Sequence, residues 1–540
     1  VGCSTKLLSE KEINTMTENI GRIIGNDVRE ITFRAAFGTE VFLGEILVAK
    51  DPSTEREFLL RIFNMRMGFE ASDQDWPART AGNMLTLEKG NIDFDLSDQQ
   101  RRLFKLGICK SLGYVEGGIF KKPKTMPAHF GGVRRAREED LKLLETFMGD
   151  VYVGKLRSGE KLVNIPVGVH SKDFPSHVGI FATTGMGKSN LMKRLAASGM
   201  VNGTTGLLIF DPHGEYYDGG GEGRMGLNHH PEARERLKVY SARKLTGPHN
   251  PIKVSSKEIE VDDLLHLYDF SGAQKDALAS AKRVYGDNWV TSLHDLEVQE
   301  LARDLENTFE STLWVIRRKL KNLFSYDLLH RDNSISITGD IISSLEEGMT
   351  VLVDTSCMGE SEELLISIVI ARSVFKRYKD TYAKPDKFRN IIPVLITMEE
   401  AQRVLGGIAH GDKGKRRNIF TTIAREGRKF KVGLCAISQQ PKLIDEEILS
   451  QFNTLFILGL ADRKDRDMLT YSAKQDISGL GTEIQMLMPG EALITSPSAP
   501  FALPVNIDLY EDYMKKYTGG SEKIMDREVE RGSALLDSFF

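Results

Sequence analysis

A chain of 540 residues is longer than one hydrophobic core supports, so about two to four domains are expected. Hydrophobic residues at 41% and charged residues at 27% are ordinary for a soluble globular protein and exclude a composition-driven disordered or fibrous chain. A net charge of -4 excludes a chain that is basic throughout, so any nucleic-acid contact must come from a local basic surface.

Cys3, Cys109, Cys357 and Cys435 are far apart and form no CxxC or Cys/His cluster. That argues against structural zinc and a disulfide framework and suits a reducing, cytoplasmic setting. No apolar run approaches the ~18–20 residues that span a bilayer, so no membrane partner is expected. Val1-Gly2-Cys3 lacks the preceding apolar segment of a lipid-attachment site, and Cys3 is read as an ordinary residue.

In chain order, residues 20–65 alternate in a strand-like way, with turn signals at Gly25-Asn26-Asp27 and Gly38-Thr39. Closely spaced short strands predict a small β-barrel. Residues 75–110 read as polar and helical, Tyr114-Val115-Glu116 as a returning strand, and Lys121–Arg137 as a linker or basic loop. From about residue 176, buried apolar strands alternate with helices: Val178–Phe181, Gly206–Phe210, Thr350–Val353, Ile392–Met398, Val432–Ile437 and Thr454–Leu460, with helices near 189–200, 361–379 and 414–426. This alternation predicts a mainly parallel sheet covered on both faces. Residues 255–330 interrupt it with a charged, helical insertion that includes Leu301–Leu323.

The strongest signal is Ala182-Thr183-Thr184-Gly185-Met186-Gly187-Lys188-Ser189, between an apolar strand and a helix opening with Asn190. In that context the glycines let backbone N–H groups wrap phosphates, Lys188 reaches the β/γ-phosphates, and the Ser189 hydroxyl suits Mg²⁺. ATP and Mg²⁺ are therefore the expected ligands, with Thr183 to Asn190 around the nucleotide. Ala182 replaces the usual glycine at a position that starts the turn.

Three strands end in acid: Asp211 with Glu215 close behind, Asp354, and Glu399-Glu400. Only the last offers two consecutive carboxylates. They can divide the work, Glu399 toward Mg²⁺ and Glu400 toward the attacking water. Asp211 and Glu215 remain near-site candidates, and Asp354 reads as structural. Gln439, at the end of the strand Val432–Ile437, suits sensing the γ-phosphate or orienting water. Arg425 and Arg428 precede that strand. They form either a solvated basic helix end or a cation supplied to a neighbouring subunit's site.

Together these segments resemble the HerA branch of the HerA/FtsK ATPases. The resemblance rests on Thr183–Asn190, Asp211-Pro212-His213-Gly214-Glu215-Tyr216, Glu399-Glu400-Ala401-Gln402, Arg425–Phe430, Ser438-Gln439-Gln440-Pro441 and Leu449–Thr454. It implies an α/β RecA-like P-loop core with an N-terminal, HAS-barrel-like β-barrel and a helical insertion. It also implies a homo-oligomeric ring, a hexamer, with ATP between subunits, duplex DNA in the channel, and a NurA-like nuclease or phage-defence effector as partner. Gln402 stands where the family often has His. The expected organisation is 1–150 barrel and linker, 151–254 first part of the core, 255–330 insertion, 331–510 second part of the core and 511–540 tail.

For DNA, the loop Gly411–Asn418 carries Lys413, Lys415, Arg416 and Arg417 beside glycines, which suits contact with phosphates without reading bases. Arg134-Arg135-Ala136-Arg137 and Arg317-Arg318-Lys319 are rivals. The leading reading is a DNA translocase or helicase. The alternatives are a conjugation- or packaging-type DNA pump and an ATP-binding scaffold that activates a partner nuclease.

Overall fold

Alternation of apolar and polar side chains folds the N-terminal region. In the computed structural model Ile31, Phe33 and Ala35 turn inward from one strand while Thr32 and Arg34 lie between them, the period of a strand with one buried face. The structure describes residues 19–51, 53–54, 56–70, 75–88, 102–221, 223–306, 308–324, 329–330, 336–406 and 418–518. By contact density these fall into two compact units, the first comprising the described residues up to Met148 with Gly154–Val167 and Gln475–Asn506, the second the rest.

In the first unit, β1 (Gly21–Asn26), β2 (Ile31–Ala35), β3 (Ile46–Lys50), β4 (Glu57–Phe69), β5 (Leu103–Glu116), β6 (Ile119–Lys121) and β7 (Gly132–Arg135) form a sheet in the order β2-β1-β7-β3-β4-β5-β6. An additional β2–β5 pairing closes it into a barrel. Closure brings Phe33 against Gly107, where a Cβ would sit 2.1 Å from the ring, so only glycine fits there. Ile23, Phe33, Leu47, Phe58, Leu60 and Val133 fill the interior.

Two expectations are corrected here. Residues 103–110 are not helical but begin β5, which pairs along its length with β4. Long-range pairing overrides the local polarity of Lys105 and Lys110. Within 121–137, Gly132–Arg135 is no loop but a barrel strand between β1 and β3. Its charges are spent locally, Arg134 on Asp140 at 2.6 and 2.8 Å and Arg135 on Glu45 at 2.7 Å.

The remaining strands are β8 (Val151–Ser158), β9 (Lys161–Val169), β10 (Val178–Phe181), β11 (Gly206–Asp211), β12 (Leu237–Ser241), β13 (Asn250–Pro251), β14 (Val254–Ser255), β15 (Leu329–His330), β16 (Thr350–Asp354), β17 (Val394–Met398), β18 (Val432–Ser438), β19 (Thr454–Ile457), β20 (Glu491–Thr495) and β21 (Leu503–Ile507). The second unit is built on β13-β12-β16-β11-β17-β18-β10-β19, paired in parallel. Strands β10, β11, β16, β17 and β18 are buried at every position, as a sheet covered on both faces requires.

The insertion is helical, with Val261–Leu267, Gly272–Tyr285, Trp289–Asp295, Val298–Asp304 and Glu310–Phe324. The expected helical stretch Leu301–Leu323 falls on the last two of these helices. At the base of the insertion β14 and β15 pair in parallel. Among the described residues no helix is long and apolar enough to cross a membrane.

Candidate functional site

Parallel strands place all their C-terminal ends on one edge, the usual position of ligand sites in open α/β sheets. Strand β10 runs into Ala182, whose N–H donates to the Ser438 carbonyl at 3.3 Å. Thr183 donates to the Gly459 carbonyl from its N–H at 3.0 Å and its hydroxyl at 2.9 Å, which ties the loop to the end of β19. Gly185 and Gly187 then adopt φ of +83° and +99°, and the space beside Gly185 is open. The helix Lys188–Asn202 follows and stops at left-handed Gly203.

The loop opens on a cleft of about 580 Å³ lined by Thr184, Gly185, Gly187, Lys188, Ser189 and Asn190. Glu215, Glu399, Glu400 and Gln439 line it too, so four segments far apart in sequence converge there. Of the expected nucleotide set, Thr183 anchors the loop, and Met186 stands outside the lining. Asn190 lines the cleft, but its carboxamide donates to the Asp508 carbonyl at 3.1 Å and accepts from the Tyr510 N–H at 2.8 Å. Lys188 Nζ donates back to the Ala182 and Thr183 carbonyls at 3.3 and 3.4 Å. Burial lowers its pKa, and Glu399, Glu400 and Glu215 oppose that shift.

After β11 the chain turns around Asp211. One carboxylate oxygen accepts from the N–H groups of His213, Gly214 and Glu215, and the other from Tyr216. Burial pushes the Asp211 carboxyl up to about 6, against the pull of those donors. The turn presents Glu215, which accepts from Ser189 Oγ at 2.6 Å, and Tyr216, whose hydroxyl donates to Glu399. Burial raises Glu399 to about 7.

Glu400 has φ of +47°, a conformation non-glycine residues seldom adopt. This kink lets two consecutive carboxylates line one cleft where a continuing strand would point them apart. Gln402 donates to one Glu400 oxygen, and Gln439 donates to the other at 3.1 Å. Gln439 in turn accepts from Thr184 Oγ1 at 2.6 Å, and Gln402 from Ser438 Oγ at 2.7 Å. Gln402 thus acts as a brace for Glu400.

Asp354 lies away from this cleft and is held by Arg243 Nε at 2.8 Å. Arg425 and Arg428 line a separate depression with Glu426, Lys429 and Phe430, and Arg425 Nη2 lies 3.1 Å from Glu447. Lys413, Lys415, Arg416 and Arg417 lie outside the described residues. Three charged residues without a local sequence signal also line the cleft: Lys193, Arg224 and Glu511.

The lining suits a Mg²⁺–nucleotide. The left-handed glycines and the open space beside Gly185 leave room for phosphate at a helix N-terminus. The Ser189 and Glu399 donors are both oxygen, the preference of a hard cation. Among the described residues no group of three or more His, Cys, Asp or Glu could hold a metal ion by itself.

Fold and site together define a P-loop ATPase with a RecA-like core, an ATP-hydrolysing enzyme. Residues 151–374 match the family model "Helicase HerA, central domain". The DNA double-strand break repair helicase HerA of Sulfolobus acidocaldarius is 27% identical over 467 residues, covering 82% of this chain and 83% of the relative. That of Saccharolobus solfataricus is 27% identical over 415 residues, covering 73% and 75%. Among solved structures, the bacterial conjugative coupling protein TrwBdeltaN70 is 13% identical with a TM-score of 0.46, covering 70% of this chain and 92% of that one. The chain is thus similar to HerA helicases, in residues 151–374 to their central domain and over most of its length to the two relatives.

Proposed function

We propose that this ATPase moves duplex DNA through a closed ring of six copies, with nucleotide bound between neighbours, in the cytoplasm. The observation that carries the reading is one cleft containing a phosphate-wrapping loop, Lys188, Ser189 and the pair Glu399–Glu400. DNA as the transported substrate is supported by the likeness to repair helicases.

In this reading the loop from Thr184 to Lys188 holds the phosphates, with Lys188 at the β/γ end. Ser189 and Glu399 hold Mg²⁺, which when bound neutralises charge on the phosphate oxygens. Glu400 takes the proton of the attacking water, and Gln439, hydrogen-bonded to both Glu400 and Thr184, orients that water. Arg425 or Arg428 comes from the neighbouring copy, in keeping with its place outside its own cleft. Lys413, Lys415, Arg416 and Arg417 contact DNA phosphates. A nuclease or defence effector is the partner.

The test is ATP turnover with and without linear duplex DNA. Duplex should stimulate it, and the stimulation should fall with salt. Turnover indifferent to DNA, with partner-nuclease activation retained by a Glu400→Gln ring, would instead establish the scaffold reading. The site between copies is tested by mixing Arg425→Ala with Lys188→Ala subunits, each inactive alone. Partial ATPase should return, whereas mixed rings that stay silent at every ratio would remove Arg425 from the neighbour's site.

A further inference from the structure

The cleft contains a carboxylate that the roles above leave without one. Glu215 lines the cleft, and Ser189 Oγ donates to its Oε2 at 2.6 Å. A serine hydroxyl has one proton and two lone pairs. A partner that takes the proton fixes the rotamer and leaves the oxygen with lone pairs for a cation. The next residue does the corresponding work one step away, since the Tyr216 hydroxyl donates to Glu399. Consecutive residues of one turn therefore hold both groups assigned to the cation.

The turn that presents them is rigid for visible reasons. Asp211 accepts four backbone N–H groups from residues 213–216, Gly214 adopts φ of +68°, and Tyr216 is 1% exposed. Outer partners of this kind orient a metal's ligands.

We infer that Glu215 is a positioning residue for the magnesium end of the nucleotide, acting through the Ser189 hydroxyl. The inference rests on the ATP and Mg²⁺ reading of the cleft. It differs from a purely structural tie between the turn and the phosphate-loop helix, because such a tie would affect nucleotide binding equally with and without Mg²⁺.

The experiment is binding of a fluorescent, non-hydrolysable ATP analogue to the full chain, titrated with MgCl₂ and repeated in EDTA. Glu215→Ala should raise the Mg²⁺ concentration for half-maximal tight binding by ~10–100-fold, the usual cost of losing such a partner. Affinity in EDTA should stay unchanged. Ser189→Ala should give a shift of similar size, and the double variant should add little to either single one. Glu215→Gln keeps an acceptor for the hydroxyl and should shift the Mg²⁺ requirement less. It also carries the test if Glu215→Ala does not fold. An unchanged Mg²⁺ requirement, or an equal loss with Mg²⁺ and in EDTA, overturns the inference. Failure of the unmodified protein to bind the analogue in either condition would instead overturn the ATP reading.

Discussion

The two ends of the second unit's parallel sheet use glycine for opposite purposes. At the C-terminal ends Gly185 is left-handed beside open space, facing the cleft. At the N-terminal ends Gly206 and Gly433 are in close contact with backbone: a Cβ would stand 2.5 Å from the Leu345 carbonyl oxygen and 2.1 Å from that of Phe174. The polar groups differ in the same way. Glu215, Glu399 and Glu400 line a cleft, whereas His177, just before β10, is 3% exposed and accepts the Leu434 N–H at 3.0 Å. One sheet thus separates chemistry from stability by strand direction, and changes at the two ends should be separable in the same way.

The largest effect is expected from Lys188→Ala, which should reduce ATP hydrolysis to background and weaken nucleotide binding while leaving the melting temperature near that of the unmodified chain. Full turnover would break the assignment of the C-terminal edge. Next, Glu400→Gln should leave nucleotide bound and cut turnover by ~10²–10⁴-fold, the usual contribution of a general base. A smaller loss there than in Asp354→Asn would mean that β16, not β17, carries the catalytic acid.

At the other edge Gly433→Ala should lower stability by about 3 kcal/mol, since an oxygen of the backbone cannot step aside as a flexible side chain can. Chemical denaturation measures the loss, and ATPase per folded molecule should be retained. A variant that folds normally but no longer hydrolyses ATP would refute the separation.

Much of the active edge was legible because its signals are local. The phosphate loop is one unbroken run, and Glu399-Glu400 ends a buried strand. What escaped depends on contacts between distant residues: Ser189 meets Glu215 26 positions on, and Tyr216 meets Glu399 across 183. Which of Asp211 and Glu215 reaches the cleft could not be read either. Asp211 is consumed by its own turn, and only the turn's geometry shows it. In the barrel, the end of β5 at Tyr114–Glu116 was read as a strand, but its first part and β7 were missed because lysine, glycine and arginine give no strand signal until β4, Asp140 and Glu45 supply partners. The short strand β12 and the edge strand β13 lie between Phe210 and Thr350, where no strand was expected.

The smallest effect concerns pH and His177. Burial holds its pKa down at about 4, partly opposed by the hydrogen bond to Ala424. The unfolded chain's histidine titrates near ~6.5. The folded value is the depressed one, so the neutral ring contributes its full stability above ~6.5. As pH falls below that, the unfolded chain takes up a proton that the native ring refuses, and stability is lost until about pH 4. From pH 7 to pH 5 this amounts to ~2 kcal/mol, each pH unit within the window being worth ~1.4. His177→Asn should remove that slope, because asparagine can offer an oxygen to the Leu434 N–H, does not titrate, and tolerates the positive φ of 65° better than most residues. Denaturation curves at pH 5 and pH 7 should therefore lie closer together for the variant by about that amount. Identical slopes would show that the acid sensitivity of this edge comes from another group, with His177 contributing packing alone.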